Sequence, residues 1–517
     1  MKKLPIGMQA LSELLQNGYV YVDKTRHIYE LITTGKYYFF ARPRRFGKSL
    51  LISTLAEIFS GNKKLFIGLD ISALSYGWKQ YPVINISFSD IPCTTPEELE
   101  QGIQRYLYSI AQENTIELDK HLLPSQMLQV IVMALSKDNR VVLLVDEYDY
   151  PILRHIHDVA MADKMREILK SFYIIIKGLD SHLKFVLLTG VSKFSKTSIF
   201  SGLNNLEDIS LSATYNDLVG YTKAEITTYF NEHLAHTKDK INISADKLLE
   251  KITVWYDGYR FTRNNDSEKL YNPFSVMLCL KNSEFSNYWF ATGTPTFLVN
   301  LLQSKQYPIQ DFDGIEATEG ELSQFEVDNI FLKTLLFQTG YLTIQKYNPA
   351  SRNYLLNFPN KETIDSLGEL IFASMTSVSG SILNNVTVAL LQAFDDINFE
   401  HIRTTLTQLF AAIPYTIQIS EEKYYQTIFY LVLKMIGAHV IVEQPTNIGR
   451  IDAIIQTQDT CFIIEFKINS TAAKALQQIE DKKYYQPYES LRKKIILVGI
   501  VFDTVVKNIT EIEYKVH

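Results

Sequence analysis

Two stretches of the sequence combine the residue types that phosphate chemistry needs. Arg42-Pro-Arg-Arg-Phe-Gly-Lys-Ser49 ends in Gly-Lys-Ser. In that order a glycine lets backbone approach an anion, a lysine bridges the β and γ phosphates of ATP, and a serine hydroxyl ligates Mg²⁺. Far downstream, Asp452 precedes Glu465-Phe466-Lys467. Asp452, Glu465 and the carbonyl of Phe466 can share one Mg²⁺, a hard cation that takes oxygen ligands. Lys467 is then placed to orient a water or to stabilise charge developing on a phosphate.

Each group needs an element to hold it. Residues 36–41 are a short aromatic run suited to a buried strand, and Leu50, Leu51, Leu55, Ile58 and Phe59 recur at helical spacing until Ser60-Gly61-Asn62. Arg45, Phe46, Gly47, Lys48 and Ser49 are therefore candidate nucleotide-binding residues at a helix start, where free N–H groups face an anion. Arg42 stands where the usual loop has its first glycine, so the loop must turn differently. Residues 140–145 form an apolar strand that ends in Asp146-Glu147. Asp146 is the candidate to hold Mg²⁺ through water, and Glu147 the general base that polarises the attacking water. Residues 83–88 and 183–189 read as further strands of a parallel sheet wrapped by helices. Thr189, at the tip of the last, is placed either to sense the γ phosphate or simply to cap its strand.

Near the other end, Tyr424, Tyr425, Ile428, Phe429, Val432, Leu433 and Ile436 share a helical face closed by Gly437. A strand at 439–443 follows, and residues 450–455 and 461–467 pair as a hairpin. Alternation puts Glu465 and Lys467 on one face. Lys and Arg outnumber acids from Phe466 to Lys494, a local patch able to hold a phosphate backbone. It carries no base-reading motif, so weak sequence specificity is expected.

Between these ends, residues 225–234 and 246–256 read as helices. Residues 331–338 read as a helix followed by strands at 340–344 and 353–358, the outline of a winged-helix element. Residues 365–412 look helical.

A chain of 517 residues is too long for one core and divides into about three modules. The boundaries read as 1–265, 266–415 and 416–517. A net charge of −6 excludes a protein coated all over with nucleic-acid-binding charge. Cys93, Cys279 and Cys461 are too scattered for a disulfide framework or a zinc cluster. No stretch approaches about 18 unbroken apolar residues, and Met1-Lys2-Lys3 leads into Leu-Pro-Ile-Gly, not into an apolar signal segment. A cytoplasmic, soluble protein without membrane contact is expected.

Several motifs resemble one family. Tyr21-Val-Asp-Lys-Thr25, the loop at 42–49, Leu188-Thr-Gly-Val-Ser192, Ser198-Ile-Phe-Ser-Gly-Leu-Asn-Asn205, Trp255-Tyr-Asp-Gly-Tyr259, Tyr271-Asn-Pro-Phe-Ser275 and Tyr288-Trp-Phe-Ala-Thr-Gly-Thr-Pro295 look like the bacterial AAA-ATPase-like family. Its members usually carry a C-terminal PD-(D/E)XK nuclease domain, and Arg42 is similar to that family's own pattern. The resemblance implies an α/β fold: a P-loop ATPase core of the additional-strand type, a helical and winged-helix middle, and a restriction-endonuclease-like nuclease domain. In related ATPases helices such as 225–234 and 246–256 form a lid whose basic residue reaches the γ phosphate, here Arg260. The nuclease superfamily also uses an acid on the preceding helix, either Glu421 or Glu422. Gln478 with Tyr484 or Tyr485 is similar to a Gln…Tyr pattern on a helix behind the hairpin.

Together these readings imply an ATP-binding and ATP-hydrolysing module coupled to a Mg²⁺-dependent nuclease acting on nucleic acid, DNA favoured over RNA. A role in defence or mobile-DNA handling and a homo-oligomer through trans-acting arginines are further implications. The alternative is a nucleotide-gated switch whose last domain binds nucleic acid or protein without cutting.

Overall fold

Short apolar strands set the frame of the first half. In the computed structural model, which describes residues 1–193, 199, 203, 205–293, 314–323, 332–376, 380–413, 422–436, 439–446 and 449–517, the chain divides into two units. The first comprises Met1–Gly293 with Gly314–Asn360, and the second includes Lys361–His517.

The first unit contains β1 (Tyr37–Ala41), β2 (Val83–Ser87), β3 (Val141–Asp146), β4 (Leu183–Gly190) and β5 (Glu207–Asp208). They form one sheet in the order β2-β3-β4-β1-β5, with every pairing parallel. All of β3 is buried and nearly all of β4, as expected of parallel strands covered on both faces. β4 lies between β1, which feeds the phosphate loop, and β3, which ends in the acids. This is the additional-strand arrangement. Helix α1 (Lys48–Phe59) leaves the loop and buries Leu51, Leu55 and Ile58.

Residues 225–234, expected as one helix, are two: α2 (Lys223–Tyr229) and α3 (Asn231–Ile241). The chain turns at Phe230 (φ −115°), which buries that ring between Tyr221 and His233. With α4 (Ala245–Tyr256) and α5 (Pro273–Asn282), these helices enclose an apolar cluster that includes Val20, Val22, Ile252 and Met277.

The expected helix and hairpin are α6 (Leu332–Thr339), β7 (Thr343–Asn348) and β8 (Asn353–Asn357); Phe331 lies outside the described residues. A further strand, β6 (Ile315–Thr318), was not expected from the sequence. It pairs with β8 to make a sheet ordered β6-β8-β7.

In the second unit the helical stretch resolves into α7 (Lys361–Thr376), α8 (Gly380–Asp395) and α9 (Phe399–Ala411), followed by α10 (Glu422–Met435). Gly437 lies outside the described residues. Next come β9 (His439–Thr446), β10 (Gly449–Gln456), β11 (Thr460–Ile468), α11 (Ala472–Asp481), β12 (Lys494–Asp503) and β13 (Asn508–Val516). The sheet order is β13-β12-β11-β10-β9. β11 and β12 are parallel, joined through α11, and the remaining neighbours are antiparallel. α11 lies close on β12, because a Cβ at Gly499 would meet the Ala472 carbonyl oxygen at 2.6 Å. Among the described residues no helix is long and apolar enough to cross a membrane.

Candidate functional site

The phosphate loop makes its left-handed bends at Arg45 (φ 66°) and Gly47 (φ 103°), so the turn that a glycine at 42 would allow is made further along. Arg42 serves another purpose. Its guanidinium is 1% exposed and sits between two rings, with Cζ 4.5 Å from the Phe40 centroid and 4.4 Å from that of Phe261. It donates to the carbonyls of Ser210 (2.6 Å), Tyr215 (3.3 Å) and Asn216 (3.3 Å). Burial pushes its pKa down to about 9, still above neutral pH, so it remains a cation. Cation–π contact and charge-assisted hydrogen bonds offset its desolvation.

Phe46 packs edge-on to Tyr259 and Phe261, with centroids 4.8 and 5.6 Å away. Its carbonyl accepts from Gly220 N at 3.1 Å. Lys48 Nζ donates to the carbonyls of Arg42 (2.9 Å) and Pro43 (3.0 Å). Burial lowers its pKa, against the opposing charges of Asp146, Glu147 and Asp149.

Phe46 and Lys48 border a cavity of about 420 Å³, within the range of small-molecule sites. One part is polar, with Arg44, Arg45, Lys48, Ser49 and Glu147; another is apolar, with Val22, Ile28, Phe274 and Met277. A triphosphate joined to a flat base has that division. Tyr21 and Lys24 also line the cavity, and Lys24 Nζ is 2.6 Å from Glu225 Oε1. Neither was singled out from its residue type.

The acids lie at the end of β3. Asp146 Oδ1 accepts from the Thr189 hydroxyl at 2.5 Å and from Glu147 N at 3.0 Å. Thr189 is fully buried, and its hydroxyl is thereby joined to Asp146. Glu147 lines the cavity from a left-handed φ of 52°. Burial raises its pKa, while Lys48 counteracts.

Asp149 escaped the sequence reading. Its Oδ2 accepts from Val191 N (3.0 Å), Ser192 N (2.6 Å) and the Ser192 hydroxyl (2.6 Å). Tyr148 N donates to the Thr189 carbonyl at 3.0 Å, and the Tyr148 hydroxyl to the Ser192 carbonyl at 3.0 Å. The segment after β3 thus clamps the end of β4. The second aspartate in Asp146-Glu-Tyr-Asp149 was the available signal.

Arg260 is held elsewhere. Its Nη1 donates to the Gln345 carbonyl at 2.8 Å, and it is not among the residues lining the cavity.

In the second unit the hairpin brings the other candidates together. Ala453 pairs with Ile464, so Asp452 and Glu465 are the next facing positions and share a side of the sheet. Asp452 Oδ2 accepts from Phe466 N at 2.8 Å. Glu465 is 2% exposed, and its Oε1 accepts from Lys467 Nζ at 2.7 Å and from Gln478 Nε2. Lys467 Nζ also donates to Gln478 Oε1 at 2.8 Å. Glu465 Oε2 is buried and has no hydrogen-bond partner among the described residues. Burial, and then the charge of Asp452, push the Glu465 carboxyl up to about 7.

This donor set fits a divalent cation. An orphaned buried carboxylate oxygen facing a second carboxylate is costly unless a positive charge joins it. Among the described residues no group of three or more His, Cys, Asp or Glu could hold a metal. Two carboxylates suit Mg²⁺, which commonly keeps several waters. Glu421 lies outside the described residues, and of Glu422 only the backbone is described.

Gln478 lies on α11, but the tyrosines expected on the same helix do not. α11 ends at Asp481, and Lys483 turns with a φ of 45°. That turn drops Tyr484 into a cluster with Ile451, Cys461 and Ile479, and places Tyr485 against His517. Lys474, Lys483, Arg492 and Lys494 are exposed near this part of the chain.

Comparison with known proteins covers both sites. The family described as "Predicted AAA-ATPase" matches residues 5–200. The PD-(D/E)XK nuclease superfamily matches residues 420–512. A relative from Azotobacter chroococcum mcd 1, described as an uncharacterized protein in the vnfD 5′ region, is 38% identical over 515 residues. The match spans 97% of this chain and 96% of the relative.

Proposed function

Because the chain belongs to the predicted AAA-ATPase family with a C-terminal PD-(D/E)XK nuclease superfamily domain, we propose that it binds and hydrolyses ATP to control Mg²⁺-dependent cleavage of DNA. The observation that carries the cleavage half is Glu465, buried and facing the position of Asp452, with one oxygen that finds no partner among the described residues.

In the first unit, Arg45, Phe46, Gly47, Lys48 and Ser49 form the cradle for the triphosphate, and backbone N–H groups at the start of α1 face it. Lys48 exchanges the carbonyls of Arg42 and Pro43 for phosphate oxygens. Ser49 and Asp146 hold the Mg²⁺ that accompanies ATP, with Thr189 orienting Asp146 through their hydrogen bond. Glu147 accepts a proton from the attacking water. Arg260, engaged by Gln345, receives no part in this chemistry.

In the second unit, Asp452, Glu465 and the Phe466 carbonyl are the ligands for a second Mg²⁺. That ion, when bound, polarises the scissile phosphate and lowers the pKa of a water. Lys467 orients the water and balances charge developing on the phosphate, and Gln478 holds Lys467 and Glu465 in register. The exposed lysines and arginine from 474 to 494 grip the backbone.

The organisation proposed is a nucleotide module over 1–265, a linking region over 266–415 and a nuclease module over 416–517. Three free, buried cysteines suit a reducing cytoplasm. Self-association is part of the same proposal.

The test is to incubate plasmid DNA, single-stranded DNA and RNA with Mg²⁺, with and without ATP. The wild type is expected to cut DNA, and Asp452→Ala to leave it whole. If the wild type retains DNA without cutting any substrate, the chain is a nucleotide-gated binder instead.

A further inference from the structure

Within the loop at 42–49, most side chains are committed to the protein itself. Arg42 lies between Phe40 and Phe261. Pro43 is close against Gly340, where an added Cβ would come within 2.7 Å of the proline ring. Arg45 places Cζ 4.8 Å from the Phe274 centroid. Phe46 is buried, and Lys48 reaches back to two loop carbonyls.

Arg44 is different. Its backbone is fixed, since its carbonyl accepts from Trp289 Nε1 at 3.2 Å. Trp289 is itself 2% exposed, with its centroid 5.0 Å from that of Tyr341. The half-buried Arg44 side chain lines the same cavity as Lys48 and Glu147. The guanidinium makes no hydrogen bond or ion pair with a described residue. That shared lining sets the guanidinium with the hydrolytic groups, and its charge lowers the pKa of both Lys48 and Glu147.

We infer that Arg44 is a phosphate-contacting residue acting in cis, so that one copy of the chain completes its own hydrolytic site without an arginine from a second copy. The inference rests on the ATP-hydrolysing reading above. A guanidinium offers a planar fork of N–H donors to two phosphoryl oxygens, which an ammonium does not. In the reaction, a water oxygen forms the new bond to the γ phosphorus. The bond from that phosphorus to the β–γ bridging oxygen breaks, and its electron pair leaves with ADP. Glu147 takes the proton released by the water. Arg44 neither gives nor takes a proton and balances charge on the γ oxygens as they separate.

The experiment measures ATP turnover over a wide range of chain concentrations, alone and in mixtures of variants. Turnover per chain is expected to be independent of concentration. Arg44→Ala is expected to lower kcat by about a thousand-fold, while binding of a fluorescent ATP analogue weakens by less than about tenfold. Free guanidinium in the buffer should restore part of the lost kcat, which a merely structural role would not permit. An equal mixture of Arg44→Ala and Lys48→Ala chains should stay inactive.

Recovery in that mixture would show that the arginine acts across copies and would overturn the inference. So would an Arg44→Ala chain with wild-type kcat, or a larger loss of kcat in Arg260→Ala. A wild type that turns over no ATP at any concentration removes the hydrolytic reading and this inference with it. Failure of Arg44 alone leaves wild-type turnover in place, so the two failures are distinguishable.

Discussion

The nucleotide cavity and the nuclease hairpin both present charge to phosphate, but they hold that charge in different ways. In the cavity, Lys48 has two loop carbonyls as partners and Asp146 has the Thr189 hydroxyl. At the hairpin, Glu465 keeps one buried oxygen with no partner among the described residues and a carboxylate neighbour that opposes its ionisation. The first arrangement can exchange internal hydrogen bonds for those of an arriving polyanion at little net change. The second carries a deficit of positive charge that only a cation or a proton can remove. Under the proposed function, one site is therefore prepared for a substrate that comes and goes, and the other for an ion that completes it.

The contrast can be broken most severely at the hairpin. Asp452→Ala removes a carboxylate from the proposed metal set and is expected to lower DNA cleavage by about a thousand-fold, equivalent to roughly 4 kcal/mol of transition-state stabilisation. Its ATP affinity should be unchanged; gel-based cleavage and nucleotide binding on the same preparation check both halves.

Lys48→Ala tests the other site. It removes charged hydrogen bonds to phosphate of about 1.5–3 kcal/mol, so ATP affinity should fall by about ten- to a hundred-fold. Mg²⁺ affinity of the hairpin, read by calorimetry, should not move. A Lys48→Ala chain that binds ATP as well as the wild type would remove the contrast.

The smallest effect sharpens it through pH. The Glu465 carboxyl sits near 7 when folded, against an ordinary value of 4.5. The folded state thus holds its proton more tightly than the unfolded state. For this group the stabilising contribution is fully present below the unfolded value and is lost as pH rises through about 7 in the absence of metal. Mg²⁺ binds the ionised form, so its affinity should increase by up to about tenfold per pH unit on approaching pH 7 from below. Glu465→Gln should flatten the stability slope. Chemical denaturation with and without Mg²⁺ across this range gives both readings.

What could be read from the sequence depended on distance along the chain. Gly47-Lys48-Ser49 and Glu465-Phe466-Lys467 are legible because their geometry follows from one helix start and from strand alternation. Asp146 and Glu147 are legible as the end of an apolar run. Asp149 was missed because its partners, Val191 and Ser192, lie on a different strand end, and only the sheet order brings them together. The failure at residues 225–234 was of another kind. Helical propensity continues through Phe230, but burying that ring against Tyr221 and His233 requires the chain to turn. β6 offered too short a signal to recognise without its partner β8. Tyr484 and Tyr485 were placed on a helix by pattern, whereas the turn at Lys483 puts them beyond it.

The guanidinium held between Phe40 and Phe261 has a consequence for how loops of this type tolerate change. A residue that looks like damage to a familiar signature has become a rivet, and returning it to glycine would not repair anything. Arg42→Gly would leave a hollow between two rings and three carbonyl oxygens of the segment beyond β5 without their donor. The loop would gain freedom it has no use for, seen as a lower melting temperature and new protease cleavage near residue 42. In such a chain, rigidity near the phosphates is supplied by a side chain anchored from behind, so motif and anchor can only be altered together.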